Sequence, residues 1–187
     1  MSARLTLVTH ASTRATAAAA FAQDEPLEPR GTARAAAARA AVPRHDRAVC
    51  GPATGCRETA EALGLAATVD AGLRDWDLGR WAGRTLDEVV AAEPDAVQEW
   101  LTVPDAAPHG GEPLTALLER VAGWLDGVPG DGHTVAVTHA AVVRAAVLAV
   151  VSGAPHGFWR IDVAPLTATS LGGGPGRWTV RTTGTAM

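Results

Sequence analysis

Leu5-Thr-Leu-Val-Thr-His10-Ala11 and Val135-Ala-Val-Thr-His139-Ala140 are the stretches on which the fold turns, because each is an apolar run ending in the same Thr-His-Ala tripeptide. Runs of this length, rich in Val, Leu and Thr and leading into a helical pattern, read as strands buried on both faces. If the two are parallel members of one sheet, His10 and His139 project from the same edge, where open α/β sheets hold their ligands. One imidazole is then placed to attack as a nucleophile while the other donates a hydrogen bond or stabilises developing charge.

Outward from these strands the chain alternates. A turn at His10 to Thr13 passes into an Ala-rich helix expected over Arg14 to Phe21, and Gln23 to Gly31 reads as a loop by its prolines and acids. Gly31 to Ala41 is Ala/Arg helix with an arginine face turned to solvent. A second strand is predicted over His45 to Cys50, followed by a helix that Thr54 caps and that runs to Leu63. Ala66 to Val69 is a short strand, and Leu73 to Gly83 is too rich in Gly, Trp and charge to be regular. Helices are expected at Thr85 to Ala92, Asp95 to Leu101 and Pro113 to Leu125, and another runs from Ala140 to Val151 after the strand His133 to Thr138. Thr167 to Leu171 and Arg177 to Thr182, separated by GGGPG, close the chain as a hairpin. Such alternation predicts an α/β fold, a three-layer α/β/α sandwich on a mostly parallel central sheet, with right-handed crossovers.

The 187 residues fit a single domain spanning 1–187, and 47 % hydrophobic with 19 % charged residues is the profile of a packed protein. A net charge of −4 and a pI near 5.8 offer no basic field for nucleic acid or an anionic membrane. Met1 to Ala11 has no signal-peptide pattern, and Ala140 to Val151, the longest apolar run, carries Arg144 and reads as a buried helix. Cys50 and Cys56 suit neither a disulfide framework nor a four-ligand zinc site, and His10 and His139 lack a third clear ligand. A cytoplasmic protein without metal or cofactor is expected. Its partner would be a small-molecule substrate, with homodimerisation left open.

Further landmarks in order give the chain a resemblance to a known family. Pro26-Leu27-Glu-Pro-Arg-Gly31 is similar to L-T-x-x-G, and Cys50 to Glu61 (CGPATGCRETAE) is similar to S-S-P-x-x-R-A-x-Q-T-A-E. Leu73 to Gly83 is similar to L-x-E-x-x-x-G-x-W-E-G. Gly110-Gly111-Glu112 matches G-G-E, and Val137-Thr138-His139 with Arg144 matches a closing motif. Over about residues 4 to 172 the chain resembles the histidine phosphatase (phosphoglycerate mutase-like) superfamily. That resemblance implies His10 as the phosphoryl-accepting nucleophile, His139 as its partner and Asp75 as the acid that protonates the leaving oxygen. Asp75 is also readable as a loop acid paired with Arg74 or Arg80, and Glu112 as ordinary N-terminal capping chemistry. Thr9, Ser12, Thr13, Arg14, Arg57, Glu112 and Ala140 would line the substrate site.

The departures bear on function. The Arg of the family's Arg-His-Gly is Thr9 and its Gly is Ala11, and register places Gly55 where the second phosphate-binding Arg belongs. A planar guanidinium grips phosphate bidentately, which neither a hydroxyl nor a bare backbone does. Arg14, Arg30 and Arg57 are the candidate substitutes, each otherwise a solvated surface charge. Three functions therefore compete: phosphomonoester hydrolysis with a rebuilt pocket; acid-base elimination, isomerisation or cyclisation of an unphosphorylated metabolite; and a binding module that retains only the cleft.

Overall fold

Seven residues of nearly unbroken burial, Ala3–Thr9, form the central strand β1. The computed structural model describes residues 3–187; Met1 and Ser2, the start of the strand-like run read from the sequence, lie outside the described residues. After β1 come helices α1 (Arg14–Ala18) and α2 (Pro29–Ala37), strand β2 (Arg47–Cys50), helix α3 (Thr54–Ala62) and the short strand β3 (Thr68–Val69). Helices α4 (Leu86–Ala92), α5 (Pro94–Thr102) and α6 (Leu114–Gly127) lead to strand β4 (His133–Thr138) and helix α7 (Ala140–Val150). Strands β5 (Thr167–Gly173) and β6 (Thr179–Ala186) finish the chain as an antiparallel hairpin.

The six strands lie in the order β3-β2-β4-β1-β5-β6. β3, β2, β4 and β1 run parallel, and β5 pairs antiparallel with β1. Alternation along the strands sends Leu5, Leu7, Ala136 and Leu171 into a core with Leu117 and Val121 of α6 and Val142 and Ala146 of α7. Val8, Val135, Val137 and Cys50 point the other way, onto Ala35 of α2 and Cys56 and Ala60 of α3. Burial on both faces explains why β4 is apolar without alternation. The result is the mostly parallel α/β/α sandwich expected. No helix among the described residues is long and apolar enough to cross a membrane.

Several local expectations are corrected. The first helix stops at Ala18, not Phe21, because Ala19 takes a left-handed φ of 50°. The chain then turns so that the Phe21 amide donates to the Arg84 carbonyl and the Gly83 amide to the Phe21 carbonyl. This tertiary pairing outweighs the alanine propensity. The Pro/acid loop ends early, since Pro29 occupies the first turn of α2, where its fixed φ and missing N–H cost nothing. Thr54 does not cap α3; Ala53 holds the cap position, and the Asp24 carboxylate accepts from the Thr54 amide. The second strand begins at Arg47, two residues later than expected; just before it the Asp46 carboxylate accepts from the His133 amide.

Candidate active site

Thr9 and Thr138 are the last paired residues of β1 and β4, so both strands release their chains at the next residue, His10 and His139. The backbone register carries one step further, the His10 amide donating to the Thr138 carbonyl at 2.9 Å. The two rings meet with centroids 5.0 Å apart and planes inclined by 70°. His10 Nδ1 lies 2.8 Å from the Ala11 carbonyl, which can only accept, so Nδ1 carries the proton and Nε2 the lone pair. Burial, followed by the charge of His139, pushes the His10 pKa below its ordinary 6.5 and keeps the ring neutral.

His139 is the opposite case. Its Nδ1 stands 3.2 Å from Asp75 Oδ2 in an ion pair, and its Nε2 is 3.3 Å from the buried Cys56 thiol. Burial opposes the charged ring, but the Asp75 carboxylate, aided by Cys56, prevails and raises it to about 10. Burial likewise works against ionised Asp75, yet His139, the Trp76 amide and His10 hold its carboxyl below the ordinary value. The site thus pairs a neutral imidazole with an imidazolium backed by a carboxylate.

Asp75 sits in the irregular Leu73–Gly83 stretch and is held by what surrounds it. Arg120 of α6 donates to the carbonyls of Gly72, Arg74 and Asp75 at 3.0, 3.2 and 3.2 Å. The same guanidinium grips both oxygens of Glu112 at 2.8 Å. The Thr138 hydroxyl adds a bond to the Leu73 carbonyl at 3.0 Å, fastening the loop to the end of β4. Further along, Gly79 takes φ +49° where the chain crosses His109 and Gly111 with no room for a Cβ. Glu112 is therefore a buried anchor for the loop and not a pocket-lining group.

The other expected site residues divide. Ala140 lines the cavity with the two histidines and Asp75. Thr9 turns to the neighbouring strand, its hydroxyl donating to the Ala164 carbonyl at 2.7 Å and accepting from the Thr167 amide at 3.0 Å. Thr13 caps α1, accepting from the Thr16 amide, and donates to Glu25 Oε1 at 3.1 Å. Ser12 is half-buried, its carbonyl accepting from the Glu28 amide at 3.0 Å. Arg14 borders a separate cavity with Phe21, Gln23 and Glu88. Arg57 bonds the Thr54 hydroxyl at 3.3 Å and flanks a groove beside Cys50 and Ala60, and Arg30 is exposed on α2. None of these three arginines lines the histidine cavity. Gly55 does look onto the site: a Cβ there would stand 3.6 Å from His10 Nδ1 and 3.3 Å from Thr13 Cγ2.

Two features of the cavity go beyond the roles that the motifs assigned. Arg144, the one charged residue of α7, lines the cavity; its Nε donates to the Ile161 carbonyl at 2.8 Å, and its guanidinium carbon lies 5.7 Å from the Phe158 ring centre. Its match to the closing motif and its place in an otherwise apolar helix were the available signals, but neither gave it a place in the substrate site. The second feature is aromatic: Phe21, Trp76, Trp100, Phe158 and Trp159 line the same cavity of about 270 Å³. They come from separate segments, so no local pattern announces them. Among the described residues no cluster of His, Cys, Asp and Glu is arranged to hold a metal.

Known proteins share this architecture. A mycobacterial glucosyl-3-phosphoglycerate phosphatase, Rv2419c, superposes with a TM-score of 0.83 at 23 % identity, covering 100 % of both chains. The phosphoserine phosphatase of Entamoeba histolytica gives 0.87 at 17 % identity, covering 97 % of this chain and 96 % of that one. Phosphoserine phosphatase 1 of Hydrogenobacter thermophilus is 29 % identical over 106 residues, 54 % of this chain and 50 % of that protein. Bifunctional protein Rv2228c of Mycobacterium tuberculosis is 37 % identical over 62 residues, 33 % of this chain and 17 % of that protein. The chain thus spans half or less of these curated relatives. The profile of one family matches residues 5–185, a span that takes in the whole sheet, both histidines and the Asp75 loop, and by that match the chain belongs to the histidine phosphatase superfamily (branch 1).

Proposed function

We propose that the chain hydrolyses a small phosphomonoester through a phosphohistidine on His10. The arrangement that carries this is the pair of rings 5.0 Å apart, one with its Nε2 lone pair available and one ion-paired to Asp75. His10 Nε2 forms the bond to phosphorus as the ester P–O bond breaks, and the leaving oxygen takes a proton from His139. Water then attacks phosphorus, the P–N bond breaks, and the proton released by water returns to His139. Asp75, held ionised, keeps His139 protonated and oriented; this differs from the proton-donor role that the resemblance implied. Arg144 supplies the guanidinium that meets the phosphoryl oxygens, in place of the missing arginines.

A second reading is favoured by one observation. Positions 9 and 55 hold no cation, and the Glu25 carboxylate lies near enough to influence the charge of His10. An acid-base enzyme acting on an unphosphorylated metabolite would tolerate that field better than a phosphatase would. The two readings separate on one experiment: incubation with a labelled phosphoryl donor, rapid quench, and mapping of acid-labile phosphate. Label on His10, absent in His10→Ala, selects hydrolysis. Absence of label with every donor, while both His10→Ala and His139→Ala are inactive on a metabolite, selects the second.

A further inference from the structure

We infer that the group esterified to phosphate in this enzyme's substrate is flat and apolar, an aryl or arylalkyl alcohol with the phosphate as its only charged part. The inference rests on the phosphomonoesterase reading for the ester, and on the cavity wall for the alcohol. The chain has six Trp, two Phe and no Tyr, and five of these eight rings line the histidine cavity. They form one continuous cluster of mostly edge-on rings: the Trp100 and Trp159 centroids are 4.6 Å apart, and that of Trp76 lies 5.4 Å from both Trp100 and Phe158. Trp76, Trp100 and Phe158 are buried with the core, and Phe21 and Trp159 are half-buried, so the aromatic wall reaches solvent at these two rings.

The polar inventory of the cavity points the same way. His10, His139 and Asp75 are taken up by the chemistry. The Thr16 hydroxyl is bonded to Thr13 at 3.0 Å, and Arg144 has given its Nε to Ile161, keeping its terminal nitrogens for one anionic group. Trp100 Nε1 is a buried donor without a partner among the described residues and can satisfy one neutral acceptor, but a carboxylate, ammonium or polyol on the leaving group would otherwise be desolvated against indole faces. A ring there exchanges water for offset and edge contacts with tryptophan. At about 270 Å³ the cavity admits a one- or two-ring body.

The test uses the full chain and two phosphonates that cannot be hydrolysed, benzylphosphonate and phosphonoalanine, titrated by calorimetry. Benzylphosphonate is expected to bind at least about tenfold more tightly, the scale of burying one aromatic ring. Trp159→Leu, which keeps an apolar side chain but removes the ring, and Trp159→Ala are both expected to erase most of that ratio. Equal binding, tighter phosphonoalanine, or no binding of either overturns the inference. Hydrolysis of benzyl phosphate against O-phosphoserine, both with alkyl leaving oxygens, separates the two levels. Selective benzylphosphonate binding without turnover of either ester sinks the phosphatase reading and leaves the aromatic specificity standing. Turnover that favours O-phosphoserine does the reverse.

Discussion

Replacing Asp75 with Asn keeps the shape of the side chain and removes the charge that faces His139 Nδ1 at 3.2 Å. In the native protein His139 is lifted from 6.5 to about 10. At about 1.4 kcal/mol per unit, that rise corresponds to at most about 5 kcal/mol of stability. The Asp75 side chain is 36 % exposed, so solvent screens the pair and the expected contribution is about 2–3 kcal/mol. A raised imidazole stabilises fully below its unfolded value, so this stability is present below pH 6.5 and drains away as pH climbs through about 10. For Asp75 the sign is opposite: its contribution is present above the ordinary 3.8 and is lost as pH falls through the lowered native value. Asp75→Asn should therefore lower the urea midpoint at pH 7 while barely changing it at pH 10.5 and above. Without the carboxylate, burial opposes the charged ring with only Cys56 to offset it, so the alkaline limb of the rate profile should fall well below 10. Turnover at pH 7 should drop by about 10²–10³ with the loss of the preorganised cation. Urea melts and rate profiles across pH 5–11 check this. An unchanged midpoint at pH 7 together with an unchanged alkaline limb would refute the coupling of Asp75 to His139.

Arg144→Met keeps a long apolar stem beside Phe158 and deletes the charge, so KM for a phosphomonoester should rise about 10- to 100-fold, the value of one charge-assisted bond; initial rates over substrate concentration measure it, and an unaltered KM places the phosphate elsewhere. Arg120→Met strands a Glu112 carboxylate whose side chain is 10 % exposed, so denaturation should show a loss of about 3–5 kcal/mol. Because Arg120 also holds the Asp75 backbone, kcat should fall further than the folded fraction does, and proportional losses would show that the clamp serves stability alone.

Much of this protein was legible from residue order. Two apolar runs ending in Thr-His-Ala placed both histidines at one sheet edge, because strand period and parallel pairing leave little freedom once both faces are buried. Gly55, which the register set by Pro52 and Thr59-Ala60-Glu61 brought into the resemblance's second phosphate-binding position, faces the His10 ring. Residue order did not say which side chains would share a cavity. Thr9 was adjacent to His10 in sequence yet faces β5, and Glu112 belonged to a motif yet serves as Arg120's partner. Arg144 was visible as part of the closing motif and as the one charge in an apolar helix, but not as a wall of the cavity. The charge states were hidden for the same reason: two histidines in identical tripeptides diverge because one ring faces a backbone carbonyl and the other a carboxylate. Strand patterning and turn chemistry act over a few neighbouring residues and so can be read from the chain. Cavity lining, ion pairing and burial join residues tens of positions apart, as His139 and Asp75 are, and only the packed tertiary structure decides them.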